Sequence, residues 1–379
     1  MSFPERYVVA PLTEKLYQKA GRERIPLSGT FELSPICNFS CRMCYVRKTK
    51  KEVEMHDRKI MTLDQWIWLG EKARDEGMLY LLLTGGEPLL WPDFWKLYDA
   101  LYEMGLLLAV NTNGSLINEE VIQRWKEKPP YKVNITLYGA SDDTYEKLCY
   151  AKQVYSKVKS AILKMKEAGL NIKLNCSLTP YNALDLEEMV NFAKKHKIQL
   201  TVSTYMYPPV RRDAKMTGQN DRFSPEEAAW YHMQRYRYQN GEEAYKKFLK
   251  NIQKGVISPP GLDEECLDSR DGKVRCRAGS ATFWVTWDGY MTPCGMMPEP
   301  KVDLDGISFK EAWNKVVALS EKLHTSRICE ECSNQQMCHS CAAMAYAENG
   351  DTSVVPAYVC EMIQALKTLA EKELRSSGG

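Results

Sequence analysis

Residues 37–44 read Cys37-Asn38-Phe39-Ser40-Cys41-Arg42-Met43-Cys44. Three thiols at C-x3-C-x2-C spacing follow directly on Thr30-Phe31-Glu32-Leu33-Ser34-Pro35-Ile36, whose apolar alternation reads as a strand. The cysteines therefore belong to the loop leaving that strand. A loop this compact can wrap three thiolates around one corner of an iron–sulfur cube. Such clusters usually take four cysteines, so a set of three leaves one iron open to a small molecule. The competing reading is structural zinc, which wants four ligands and usually C-x2-C pairs; His56 is the nearest spare ligand.

The chain outside this loop sets the bounds. Its 379 residues suffice for a sizeable core and about two domains. A hydrophobic share of 44% and a charged share of 26% are ordinary for a globular protein. A net charge of +2 argues for neither nucleic acid nor an anionic membrane surface. No apolar run reaches transmembrane length and no signal-peptide pattern opens the chain. Thirteen cysteines without a secretion signal point to reduced thiols and metal in a cytoplasmic setting rather than to disulfides.

From Met61 the pattern alternates helix and strand. Helices are expected near 62–76, 92–104, 117–127, 142–168 and 184–196. Strands are expected over 79–84, 106–112, 131–138, 170–178 and 198–206. With the strand before Cys37 this makes six βα units, hence a parallel sheet with right-handed crossovers. Six is too few for the closed eight-stranded barrel, and an open, partial (β/α)6 barrel fits the count. The basic stretch 47–59 reads as a solvated loop, and a helical connector is expected over 224–254.

Ligands in such folds bind at the carboxyl ends of strands. The second strand ends Thr84-Gly85-Gly86-Glu87-Pro88, two glycines that permit close backbone approach and one carboxylate. Together they can accept hydrogen bonds from an ammonium group. Asn113, Thr136, Asn175 and Met206 stand at or near the ends of the next four strands, where polar groups can meet a nucleoside. Arg211 and Arg212, after a stiff Pro208-Pro209 turn, could hold a carboxylate bidentately, although a solvated loop is the simpler reading.

The thiol loop and the Gly-Gly-Glu-Pro stretch together resemble the radical S-adenosylmethionine (SAM) superfamily. The resemblance implies a [4Fe–4S] cluster on Cys37, Cys41 and Cys44 and a SAM site. That site would use Met43, Gly85, Gly86, Glu87, Asn113, Thr136, Asn175 and Met206. Two departures stand out. Met43 replaces the usual aromatic before the last cysteine. No arginine follows Thr136 by a dozen residues, leaving Lys147 and Lys152 as the nearest cations for the SAM carboxylate.

Beyond residue 255 helical periodicity fades, and after Cys266 seven cysteines follow in a pattern: Cys276-x12-Gly289-x4-Cys294, then Cys329-x2-Cys332-x5-Cys338-x2-Cys341, then Cys360. This resembles the SPASM domain, one residue short in its middle block. The resemblance implies two auxiliary clusters, one on Cys329, Cys332, Cys338 and Cys360. The other falls on Cys276, Cys294 and Cys341, with Cys266 or an open site as its fourth position. The expected division is a lead-in over 1–29, the partial barrel over 30–223, the connector over 224–254, a small loop-rich cysteine-rich SPASM domain over 255–362, and a helix end with a mobile tail over 363–379.

The implied activity is reductive cleavage of SAM and hydrogen abstraction from a peptide or protein, giving a cross-link, a thioether or an oxidation. Sulfatase maturation is marked down because Gly295, not Asp, follows Cys294. Epimerisation needs a thiol hydrogen donor, for which Cys149 and Cys266 are the candidates and Cys176 a buried spare. A small-molecule substrate, an iron–sulfur electron carrier and a zinc-stabilised binding protein complete the alternatives. Expected partners are a flavodoxin or ferredoxin as electron donor. With only 36 residues before Cys37, no leader-binding domain is expected there, so either a separate leader-binding protein supplies it or the substrate is recognised otherwise.

Overall fold

The computed structural model describes residues 11–255, 276–338 and 340–377. Its strands are β1 (Ser28–Glu32), β2 (Tyr80–Thr84), β3 (Leu107–Thr112), β4 (Lys132–Thr136), β5 (Ile172–Ser177), β6 (Gln199–Ser203), β7 (Thr282–Val285), β8 (Tyr290–Thr292) and β9 (Val302–Asp303). They form one sheet in the order β6-β5-β4-β3-β2-β1-β7-β8-β9. Every pairing from β6 to β7 is parallel, and β8 and β9 close the series antiparallel. The sheet ends at β6 and β9 without joining, as the six-unit count requires of an open barrel.

Helices fill the crossovers: α1 (Pro11–Glu23) before β1, α2 (Lys50–Glu54) and α3 (Leu63–Asp75) before β2, then α4 (Phe94–Glu103), α5 (Glu119–Glu127), α6 (Asp142–Cys149), α7 (Tyr155–Glu167) and α8 (Leu186–Lys195). Local chemistry starts them. Thr62 accepts from the Gln65 N–H while the Gln65 side chain accepts from the Thr62 N–H, a capping box that opens α3. Trp66, Leu69, Gly70 and Ala73 then recur on one face and are buried. Trp66 packs on Phe31 of β1 with ring centroids 4.8 Å apart.

That contact tells the two faces of the sheet apart. Phe31 pairs with Leu83, Leu83 with Val110, Val110 with Val133, and Val133 with Ile172, an apolar row under the helices. The opposite pleat carries Thr30, Asn111, Asn134, Thr136, Asn175 and Thr201 and stays partly exposed. The polar face is the uncovered one.

Several expectations need correction. The helix expected over 142–168 is two, because Tyr150 and Gln153 adopt positive φ of 52° and 53°. The connector over 224–254 is likewise two helices, α9 (Pro225–Asn240) and α10 (Glu242–Gln253), separated by Gly241 at φ 82°. The cysteine-rich half is less loop-rich than expected. It supplies β7–β9 to the sheet and α11 (Phe309–Ser320), α12 (Arg327–Glu330), α13 (Ala342–Asn349) and α14 (Ala357–Ser377). Thus β7 pairs directly with β1, and no gap separates the sheet of the two halves. Helix α14 supplies the helix end expected over 363–379, as far as Ser377, and residues 378–379 lie outside the described residues. Stretch 47–59 holds the capped helix α2.

Candidate active site

The thiol loop leaves β1 and is held by backbone from a distant element. The Ser40 N–H donates to the Cys149 carbonyl at 2.9 Å, and the Arg42 N–H to the Leu148 carbonyl at 3.1 Å. The C-terminal turn of α6 therefore splints the loop. Cys37 and Cys44 accept hydrogen bonds at sulfur from the N–H groups of Phe39 and Arg47, each at 3.3 Å. Such bonds favour thiolate and tune a cluster held by it. Burial pushes the Cys37 thiol up to about 12, and the charges of Glu87, Cys41 and Cys44 add to the rise. The three thiols are thus near enough to feel one another. Burial likewise raises Cys44, whereas the Cys149 thiol beside Cys41 lowers the latter.

The donor set fits a cluster with one open position. His56 is engaged elsewhere: its Nδ1 accepts from the Arg58 N–H, and its ring meets Trp287 edge-on at 4.8 Å. Among the described residues no three of His, Cys, Asp or Glu converge closely enough to hold a single ion.

The Gly-Gly-Glu-Pro stretch lies against this loop. The Gly86 N–H donates to the Ser34 carbonyl at 2.7 Å and the Glu87 N–H to the Ile36 carbonyl at 2.9 Å. A Cβ on Gly85 would stand 2.5 Å from the Ser34 oxygen, and one on Gly86 2.4 Å from the Ile36 oxygen. The glycines are needed first for this backbone-to-backbone approach, rather than for the approach of a ligand. Glu87 is 0% exposed and accepts from Thr112 Oγ1 at 2.9 Å, Asn113 N at 2.8 Å and Leu89 N at 3.2 Å. Burial pushes its carboxyl up to about 7 against the pull of these three donors. A carboxylate offers about four acceptor sites, so the protein itself fills most of them.

Asn113 bridges the two motifs. Its Nδ2 donates to Asn38 Oδ1 at 2.9 Å and lies 3.8 Å from Cys37 Sγ. Thr136 and Asn175 are register partners on the uncovered face. Met206 is buried just beyond β6, its carbonyl accepting from Arg222, and Met43 is half-buried against the main core. The Lys147 carbonyl accepts from Arg42 Nε of the thiol loop at 2.9 Å, but the ammonium groups of Lys147 and Lys152 are engaged elsewhere. They pair with Asp143 at 2.6 Å and Glu146 at 3.0 Å on exposed ground. Cys149 is wholly buried beside Cys41, and Cys176 is 3% exposed with its thiol pushed up to about 12 by burial, so neither is presented to a substrate. Cys266 lies outside the described residues.

The C-terminal cysteines fall into two sets. Cys329, Cys332, Cys338 and Cys360 act on one another electrostatically. Cys294 and Cys341 form the other pair, with Tyr207 Oη 3.7 Å from Cys341 Sγ. Sulfurs of Cys276, Cys294 and Cys332 each accept an N–H from two residues ahead, at 3.2, 3.4 and 3.4 Å. Gly289 takes its place in the spacing as the positive-φ residue, 85°, of the β7–β8 turn.

One functional contact escaped the linear reading. Arg211 does hold a carboxylate with two nitrogens, but it is that of Glu32, at 2.9 and 3.0 Å. Trp284 Nε1 donates to the same carboxylate at 3.0 Å, and Arg211 also donates to the Gly295 carbonyl at 2.8 Å. Both partners are nearly enclosed. The pair joins the end of β1, just before the thiol loop, to the loop of Cys294. Tyr45 lies in the fields of Glu32, Arg211, Cys44 and Cys294, between the two thiol groups.

Comparison with known proteins follows from this geometry. The radical SAM superfamily model matches residues 31–193, which run from the end of β1 through β5 and include the thiol loop and the glycine stretch. The chain carries a radical SAM domain. It is accordingly an enzyme that uses SAM, and the domain implies a [4Fe–4S] cluster together with SAM. An AdoMet-dependent heme synthase of Methanosarcina barkeri is 20% identical over 85% of this chain and 92% of its own length. A probable GTP 3′,8-cyclase of Sulfolobus acidocaldarius is 31% identical over 47% of this chain and 55% of its own. In fold, the chain is similar to SuiB of Streptococcus suis bound to S-adenosylmethionine, with a TM-score of 0.65, 17% identity, and 92% and 81% of the two chains covered. Native anSMEcpe with bound AdoMet matches at a TM-score of 0.65 and 17% identity over 93% and 99%. No described helix is long and apolar enough to cross a membrane.

Proposed function

We propose that the chain is a radical SAM oxidoreductase that abstracts hydrogen from a peptide. The observation that carries the SAM chemistry is the splinted three-thiol loop at the carboxyl ends of β1–β3, touching Asn113 and, through it, Glu87. Cys37, Cys41 and Cys44 would hold a [4Fe–4S] cluster, which would supply the electron for reductive cleavage of SAM to methionine and a hydrogen-abstracting radical. The protein's part is orientation and shielding. The Gly85 and Gly86 carbonyls accept no backbone hydrogen bond among the described residues and can receive the SAM ammonium. The fourth acceptor site of Glu87 stands behind them. Thr136 and Asn175 offer the ribose its partners on the uncovered face.

A peptide substrate is supported by the likeness in fold to SuiB bound to precursor peptide SuiA, which extends over 95% of this chain at a TM-score of 0.64. The two C-terminal thiol sets, with their N–H···S bonds, are the proposed auxiliary cluster ligands. Formylglycine chemistry is disfavoured: a Cβ at Gly295 would meet the Trp284 indole at 2.5 Å, so the place of an acid after Cys294 is filled. A small-molecule substrate is the second reading. The heme synthase relative, aligned over nearly its whole length, favours it.

The test is anaerobic reconstitution with iron and sulfide, then dithionite and SAM, with 5′-deoxyadenosine quantified. Product that disappears in Cys41→Ala is the expected result. A cluster-loaded protein that neither binds SAM nor makes product would overturn the proposal.

A further inference from the structure

A SAM ammonium received by the Gly85 and Gly86 carbonyls brings a carboxylate with it, because one carbon carries both groups. An anion partly out of water needs a partner. The ammonium groups of Lys147 and Lys152 are committed to Asp143 and Glu146. The arginines around the thiol loop are mostly committed too. Arg42 pairs with Asp221 at 3.4 Å and lies over the rings of Tyr150 and Tyr181. Arg211 is held by Glu32 and Arg222 by Glu348. Arg212 is exposed and donates to the Cys44 carbonyl at 3.3 Å.

Arg47 differs from all of these. Its backbone N–H donates to Cys44 Sγ at 3.3 Å, which fixes it at the end of the thiol loop. The next N–H, that of Lys48, donates to the Pro35 carbonyl at 3.0 Å. That same oxygen lies 2.9 Å from where a Cβ on Gly86 would stand. Arg47 therefore sits between the third thiol and the glycine stretch. Its side chain is half-buried, its Nε is enclosed without a hydrogen-bond partner, and its guanidinium meets no acid among the described residues. The Cys41 thiol is lowered first by the Cys149 thiol, and the charge of Arg47 adds to that effect, so the guanidinium lies within reach of the thiol site. A buried donor left unmade is costly, and more so on a charged group. The Nε edge of a guanidinium presents two parallel N–H bonds that match the two oxygens of a carboxylate.

We propose that Arg47, between the Cys44 thiol and the Gly86 backbone, binds the carboxylate of SAM through the two donors of its Nε edge. The inference rests on the placing of SAM at the three-thiol loop. It divides the amino-acid end of SAM between two segments that already touch. The glycine stretch takes the ammonium, and the segment leaving the thiol loop takes the carboxylate. The orphaned Nε–H gains its acceptor only when SAM is bound, so the loop and the end of β2 close on the same ligand.

The test is calorimetric titration of the reconstituted full-length chain with SAM and, separately, with decarboxylated SAM. The analogue keeps the ammonium, the sulfonium and the nucleoside and lacks only the carboxylate. Arg47→Gln should weaken SAM binding roughly tenfold or more, the loss of a charge-assisted contact, and leave the binding of decarboxylated SAM unchanged. The preference of the wild type for SAM over the analogue should shrink by the same factor. Arg47→Lys should recover part of the loss, since it restores the charge without the fork. Lys152→Gln should change neither ligand. Iron and sulfide content, and the electron paramagnetic spectrum of the reduced protein before SAM is added, should match the wild type in each variant. If Arg47→Gln fails to load its cluster, the same two-ligand comparison in Arg47→Lys decides, with a loss for SAM alone expected. Unchanged SAM affinity, or equal losses for both ligands, overturns the assignment. Failure of the functional reading looks different: the cluster-loaded wild type then binds neither ligand, and Arg47 has no carboxylate to meet.

Discussion

The thiol loop of residues 37–44 and the thiol set around Cys329 hold the same donor chemistry in opposite ways. The first is splinted by α6, lies against Gly85 and Gly86, and has Cys41 8% exposed. The second rests on α12, a helix with no buried residue, where Ile328 is 72% exposed and Cys360 is exposed as well. Packing shapes the first site before metal arrives. The second meets the core chiefly through the buried Met337, so on the proposed reading of these thiols as cluster ligands metal binding and folding are coupled there.

The largest expected effect tests that contrast directly. Removing iron and sulfide should speed amide exchange across residues 326–338 by ~100-fold or more and leave β2–β5 protected, because local opening is governed by the contacts each region keeps. Equal protection of both regions in the apo protein would erase the distinction. Next in size is the pair that ties the two regions together. Arg211→Ala leaves the buried Glu32 carboxylate uncompensated and should cost about 3–5 kcal/mol in urea unfolding. The double variant Glu32→Gln, Arg211→Met should recover most of it, and it should also shift the electron paramagnetic spectrum of the cluster proposed at Cys294 if the pair sets that loop.

Glu87 sharpens the picture of a preformed first site. Its carboxyl is raised to about 7, so between pH 4.5 and 7 the unfolded chain has lost a proton that the folded chain keeps. The stability contributed by this residue therefore falls as pH rises across that window, by about 3 kcal/mol in all. Unfolding curves at pH 5 and pH 7.5 should show this slope, and Glu87→Gln should flatten it. Gly86→Ala should cost about 1–3 kcal/mol by forcing backbone apart. Iron analysis should find the first site depleted and the C-terminal sets unchanged. Smallest is Ser308→Ala, which removes the side-chain acceptor of the Glu311 N–H at the start of α11 and should cost about 1 kcal/mol with iron content unmoved.

Much of this frame could be read from local pattern. The six βα units, the thiol loop and the Thr62 cap depend on residues close in sequence. So did a signal passed over: Asp288-Gly289 between Thr282–Val285 and Tyr290–Thr292 marks a hairpin turn. Gly241 was a similar sign. The break between α6 and α7 carried no such sign, since residues 149–154 contain neither glycine nor proline and positive φ falls on Tyr150 and Gln153. The Arg211–Glu32 pair spans 179 residues, and no local pattern reports it.

The place of β1 has a consequence in time. Its neighbours are β2, which the ribosome makes soon after it, and β7, which begins at Thr282. About two hundred residues separate Tyr80 from Thr282, roughly 10–40 s of synthesis at ~5–20 residues per second. Throughout that interval the strand that launches the thiol loop is the rim of an unfinished sheet, and Glu32 waits without Trp284. The nascent chain must shelter three reactive sulfurs on an open border until its own last third arrives to seal it.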